Sequence, residues 1–250
     1  MPMTDFSEKN RIGRRTVLLA GGATAAALTV GSRAVAAQRE ASPAPAVCTL
    51  TKELTEGPYY LDGAFVRADV SEAKAGIPFR LTLTVVDDDT CAPLDRALVE
   101  VWHCDALGEY SGFVGGNGHD EPDNGTFLRG GVLTGPDGVA EITSIYPGWY
   151  RGRCVHIHLK VHTDVTLTDD GHFEGGRQLH TGQLFFDEKV TEAVATVPAY
   201  AANEVPRTTL DQDSIYDGAG AASGLLTLTA LGDTPADGYA GSLTVGVESG

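Results

Sequence analysis

Positive charge is scarce in this chain of 250 residues: Lys and Arg number 18 against 34 Asp and Glu, for a formal net charge of −16. So acidic a chain does not favour nucleic acid or an anionic membrane surface as a partner. Long apolar runs are also missing. The most apolar stretch, residues 16–30, is Ala/Gly-rich and shorter than the ~20 residues that a bilayer span needs. Cysteine is limited to four residues, none of them in a Cys-x-x-Cys pair, which argues against a zinc ribbon. No heptad and no sustained 3.6-residue period follows Cys48, so a helical bundle is disfavoured. With 42% hydrophobic residues, the chain can nevertheless bury a full core in one domain.

The first 37 residues read as a leader. Arg14-Arg15 is a twin-arginine pair ahead of a mildly apolar run, and Ala34-Val35-Ala36 is an A-x-A cleavage site. Export through the twin-arginine pathway, to a secreted or cell-envelope destination, is the expectation. That route commonly carries proteins that load a metal or cofactor before leaving the cytoplasm. Cleavage would remove a net charge of +3 and take the remainder to about −19, with no membrane attachment left. Residues 38–47, QREASPAPAV, read as a linker, and residues 48–250 as the folded domain.

Within the domain, short runs of alternating apolar residues sit between turn signals. They fall at residues 80–86, 97–104, 139–146, 155–161, 182–186, 225–231 and 239–247. About seven short strands without interleaved helices predict an all-β fold, an antiparallel β-sandwich with an irregular N-terminal arm and long loops. Cys48, Cys91, Cys104 and Cys154 allow three disulfide pairings in an oxidising compartment. Cys91 in the turn DDDTCAP and Cys48 in a loose arm favour that pair, and Cys104 with Cys154 is the competing pair.

The chemistry concentrates in PGWYRGRCVHIHLKVH, residues 147–162. On a strand, Val155, Ile157, Leu159 and Val161 share one face, while His156 and His158 share the other. For an isolated His-x-His, a polar solvent face is the default reading. Tyr150 and Arg153 just upstream, and Tyr110 in the loop after the strand 97–104, point instead to a metal with two imidazole and two phenolic ligands. Phenolate is a hard anionic donor, and a phenol that loses its proton only near pH ~10 needs a strong Lewis acid to ionise at neutral pH. Ferric iron meets that demand best.

Taken together, TEGPYY, VEVWHCDALGEYSGF, FLRGG, TGPDG, IYPGWYRGRCVHIH and GQLFF resemble the intradiol ring-cleavage dioxygenases, particularly the protocatechuate 3,4-dioxygenase type and its secreted relatives. The resemblance covers roughly residues 55–186. It implies one non-haem Fe(III) per chain held by Tyr110, Tyr150, His156 and His158. It also implies catalytic roles for Arg153, Gln183 and Tyr150, and substrate contact from Gly57 and Pro58. A catechol-type substrate and O2 are the implied partners, and a cis,cis-muconate the implied product. The spacing from His158 to Gln183 exceeds the family's usual one and implies an insertion over residues 163–180. The helical N-terminal extension through which catechol 1,2-dioxygenases dimerise is missing, which leaves a homo-oligomer to some other route. Tyr59, Tyr60, His103, His119, His162, His172 and His180 read as structural or solvent residues. Two other readings stay open: a zinc-dependent hydrolase built on His156, His158 and a third histidine, and a secreted binding module without catalysis.

Overall fold

A computed structural model describes residues 48–216 and 221–250; the leader at 1–37 and the linker at 38–47 lie outside the described residues. Ten strands follow in chain order: β1 (Pro78–Asp87), β2 (Leu98–Trp102), β3 (Tyr110–Val114), β4 (Gly118–His119), β5 (Arg129–Leu133), β6 (Val139–Ile145), β7 (His156–Leu167), β8 (Phe173–Phe185), β9 (Thr227–Ala230) and β10 (Tyr239–Val247). They form two four-stranded sheets, ordered β6-β1-β10-β9 and β5-β2-β7-β8, with β3 and β4 as a separate pair.

The two large sheets enclose one core. Alternation along β1 turns Phe79, Leu81, Leu83 and Val85 inward, and β2 and β7 answer with Val99, Val101, Ile157, Leu159 and Val161. The sandwich is therefore as expected, with one difference in pairing: β1 and β10 run parallel, with Leu83 beside Leu243. A strand pattern carries no record of which distant strand it will meet, so that pairing is invisible in sequence.

Two further features matter for the site. Residues 163–180, where an insertion was expected, extend β7 and β8 into a long hairpin that pairs out to Leu167 and Phe173. Helices also occur, in the short α1 (Glu188–Val194) and α2 (Pro198–Ala201). The carboxylate of Asp187 caps α1 by accepting from the Lys189 and Val190 amides. At seven and four residues, these helices are too short to leave a periodic signature.

The arm from Cys48 to β1 is irregular, as expected, but firmly seated. Cys48 and Cys91 are disulfide-bonded, while Cys104 and Cys154 are free and buried. Downstream, Leu54 donates to the Thr181 carbonyl at 2.9 Å, and Glu56 pairs with Lys160 at 2.6 Å. The arm thereby covers the outer face of the β2–β7–β8 sheet. This is why residues 156–162 are buried on both faces instead of alternating.

Candidate metal centre

Sheet register sets the floor of the site. His158 in β7 lies beside Trp102 in β2 on one side and Gln183 in β8 on the other. Far from facing solvent, His156 and His158 are 2% and 1% exposed.

Two loops bring in the phenols. After β2, Asp105 shapes the turn that delivers Tyr110: its Oδ1 accepts from the Leu107 and Glu109 amides, and its carbonyl from Gly108. Gly108 has φ +90°, and a Cβ there would meet the Trp149 carbonyl at 2.3 Å, so only glycine lets this loop reach the second one. That second loop, PGWY, is tied in turn. Gly148 donates to the Asp105 carbonyl at 3.0 Å, the Trp149 indole to the Val205 carbonyl at 2.7 Å, and Asn203 to the Trp149 carbonyl at 2.8 Å.

Four donor atoms converge as a result. Tyr110 Oη lies 3.1 Å from His158 Nε2, the two Nε2 atoms lie 3.2 Å apart, and Tyr150 Oη lies 3.2 Å from His156 Nε2. Such spacings are those of neighbouring ligands each about 2.1 Å from a common ion. The protonation pattern agrees. His156 Nδ1 lies 2.7 Å from the Cys154 carbonyl, which can only accept, so the proton sits on Nδ1 and Nε2 presents a lone pair.

Burial, aided by the Arg153 charge, lowers His156 to about 3, and burial with the neighbouring His156 holds His158 well below its ordinary value. Both rings are neutral at pH 7. Burial also raises Tyr150 to about 12 and holds Tyr110 well above its ordinary value. The protein alone thus keeps two phenols protonated against two neutral imidazoles. A hard, strongly Lewis-acidic cation resolves that arrangement by ionising the phenols, so the donor set fits such an ion.

Arg153 is held from three sides. Its Nε donates to Asp213 Oδ2 at 2.9 Å, Nη2 to Gln183 Oε1, and Nη1 lies 3.3 Å from His156 Nε2. Gln183 Nε2 donates to the Thr55 carbonyl at 2.9 Å, joining the arm to the site. Gly57, at φ +77°, approaches so closely that a Cβ would lie 3.0 Å from His158 Cε1, and Pro58 follows in the turn. All eight residues singled out from sequence therefore lie in or against one constellation.

The profile of the family described as Dioxygenase matches residues 55–179, half of the chain. The chain belongs to the intradiol ring-cleavage dioxygenase family. Among solved structures, it resembles the intradiol ring-cleavage dioxygenase from Tetranychus urticae at 28% identity and a TM-score of 0.68, over 80% of this chain and 95% of that one. The dioxygenase domain of a dioxygenase–carbohydrate-binding fusion from Streptomyces sp. SirexAA-E shares the fold at 22% identity and a TM-score of 0.55, over 81% and 100%. So does hydroxyquinol 1,2-dioxygenase from Pseudomonas putida DLL-E4, at 17% identity and 0.54, over 79% and 66%. No curated protein matched the chain.

Seen as an intradiol dioxygenase, the chain holds site residues that sequence reasoning missed. Asp213 has a fully buried carboxylate that anchors Arg153 and also accepts from the Cys154 amide at 2.7 Å. It lies beyond the matched residues, and no local pattern marks it. Tyr59, read as structural, stacks on Tyr110 with ring centroids 4.4 Å apart, and Arg129 donates to its carbonyl at 2.7 Å. Among the described residues no third histidine joins His156 and His158; His103 spends both ring nitrogens on the Cys104 carbonyl and Ser144 Oγ.

Two other features stand apart. A groove of about 710 Å³ lies toward the hairpin tip among Asp62, His162, Asp170 and His172. His162 contacts Glu100 at 3.0 Å and takes no part in the four-donor cluster. Asp105, Glu109 and His119 also bring ligating atoms within 4.8 Å of one another, but Asp105 is already paired with Lys74 at 2.8 Å. No helix among the described residues is long and apolar enough to cross a membrane.

Proposed function

We propose that this intradiol dioxygenase is a non-haem Fe(III) enzyme that cleaves catechol-type aromatics between the two hydroxylated carbons. Both atoms of O2 enter the product, a cis,cis-muconate. Tyr110, Tyr150, His156 and His158 would hold one ferric ion per chain. The single observation that carries this reading is the meeting of two phenols and two neutral imidazoles at 3.1–3.2 Å inside a buried site.

The chemistry such an ion supplies is Lewis acidity, which withdraws electron density from a catecholate ring so that O2 attacks carbon. The protein's own groups do the rest. Tyr150, the more exposed of the two phenols at 8%, would, once ionised as a ligand, offer a proton acceptor at Oη where a catechol hydroxyl must lose its proton. The Arg153 guanidinium, fixed by Asp213 and Gln183, presents positive charge to the oxygen that becomes negative during ring opening. Gly57 and Pro58 bring the arm against the substrate side of the centre, and burial excludes bulk water.

Residues 1–37 would serve as a twin-arginine leader to a secreted or cell-envelope destination, and the motifs over residues 55–186 favour a relationship to the protocatechuate 3,4-dioxygenase type. The Cys48–Cys91 disulfide suits an oxidising destination, and intact mass of protein recovered outside the cytoplasm checks the cleavage near Ala36. A self-associated form, if present, shows in solution mass.

The decisive experiment is the visible spectrum of the purified mature protein with metal analysis, before and after anaerobic addition of catechol. The expected result is a broad phenolate-to-iron band that shifts with catechol. A protein that stays colourless after ferric reconstitution removes the iron reading.

A further inference from the structure

Histidines that bind metals ordinarily have their second ring nitrogen fixed by a hydrogen bond, which sets the plane of the ring. His156 follows the rule through Nδ1 and the Cys154 carbonyl at 2.7 Å. His158 does not: its Nδ1 is buried with no hydrogen-bond partner among the described residues. Something else must orient that ring.

Register places Trp102 of β2 directly beside His158 of β7, and the indole lies parallel to the imidazole, 5° between planes and 4.9 Å between centroids. Trp102 is 1% exposed and is backed by Tyr60, 5.0 Å away between ring centroids. Tyr60 is in turn tied to the buried carboxylate of Glu100 at 3.3 Å. Gly57 closes on the ring at Cε1, where a Cβ would sit at 3.0 Å. The imidazole is therefore clamped by packing from neighbours that are themselves held.

We propose that Trp102 is a positioning residue for the metal ligand His158, its flat face setting the imidazole plane that a hydrogen bond sets for His156. The inference rests on His158 being a ligand of the proposed ferric site. It makes the two histidines unequal. His156 is made more basic by its carbonyl acceptor, whereas His158 has no such partner and depends on the stack to keep its Nε2 lone pair aimed at the other three donors. Without the indole, no hydrogen bond at Nδ1 opposes rotation of the ring about χ2.

The test compares Trp102→Leu and Trp102→Met, which fill much of the volume without a flat face, with Trp102→Phe, which keeps one. Leu83→Ala in the other sheet serves as a control for general destabilisation. Each ferric-loaded protein is mixed with an excess of a strong iron chelator, and the loss of the visible band is timed. The Leu and Met variants should release iron about tenfold faster or more, in line with the 10–100-fold that partners of metal ligands contribute, and with an altered band position. Trp102→Phe should return most of the way toward wild type, and Leu83→Ala should keep the wild-type band and release rate. Either flat-face-free variant, once folded, decides: wild-type release and an unchanged band overturn the inference. A wild-type protein that takes up no ferric iron overturns the metal reading itself, which separates the two failures.

Discussion

At the scale of single residues, the site is defined by donors whose protonation the fold controls. Tyr110 is fully buried and His156 nearly so, so removing either donor leaves a gap that solvent cannot fill. Tyr110→Phe and His156→Ala should lose bound iron and ring-cleavage activity together, read by metal analysis and oxygen uptake. An iron-replete, active His156→Ala protein would contradict the ligand assignment. Arg153 belongs to a different class, because it touches the donors without being one. Arg153→Ala should keep the iron band and lose kcat by about 10²-fold, as charge stabilisation in a buried site requires. Asp213→Ala should show the same pattern to a lesser degree, since Asp213 acts through Arg153. A lost band in either variant would mean that the residue supports the metal instead.

At the scale of elements, the arm is the component that turns a sheet face into a site. Without it, the outer face of β2, β7 and β8 would carry His158, Lys160, Glu100 and Gln183 into water. With it, Lys160 is clamped between Glu56 and the ring of Tyr60, its Nζ 3.4 Å from the ring centroid. Lys160→Met retains the aliphatic stem and deletes the charge that holds the arm. It should raise KM for catechol several-fold, leave the iron band in place, and speed limited proteolysis within residues 50–65. Unchanged KM and proteolysis would show that the Gln183 and Thr181 contacts suffice.

At the scale of the whole molecule, burial ties stability to pH and to the redox state. Desolvation holds His103 down at about 4 and His156 at about 3, against 6.5 for the free side chain. The unfolded chain therefore takes up protons below 6.5 that the folded chain refuses until those lower values. Stability is fully present above 6.5 and is lost as pH falls from there, by up to about 1.4 kcal/mol per pH unit for each histidine. The Tm of the metal-free protein should drop between about pH 7 and about pH 5, and a flat profile would contradict the burial of neutral imidazoles. The disulfide closes a sequence separation of 43 residues, for which chain entropy gives roughly 4 kcal/mol. Cys48→Ser should lower Tm accordingly and loosen the arm upstream of Thr55, which differential scanning calorimetry would register.

What could be read from sequence followed from local chemistry. Period-two alternation announced the strands, because pleating forces it. His156 and His158 lie two residues apart, Tyr150 and Arg153 just upstream, and Tyr110 in a turn set by nearby Asp105, so their proximity survives translation into a string of letters. The Cys48–Cys91 pair was also favoured, since a loose arm and a turn can be recognised separately. The hairpin over residues 163–180 was not legible because Asp169-Asp170-Gly171 and Gly175-Gly176 break any alternation, although Gly171, Gly175 and Gly176 adopt positive φ at the turn and on the edge of a paired hairpin.

Tertiary structure alone decided the rest. Asp213 reaches Arg153 across 60 residues, β10 joins β1 in parallel, and Trp102 faces His158 only because β2 pairs with β7. The residue types at the centre were written in the sequence, but whether its histidines are neutral and its tyrosines protonated was not. Those states follow from desolvation, and desolvation exists only once the arm has folded over the sheet.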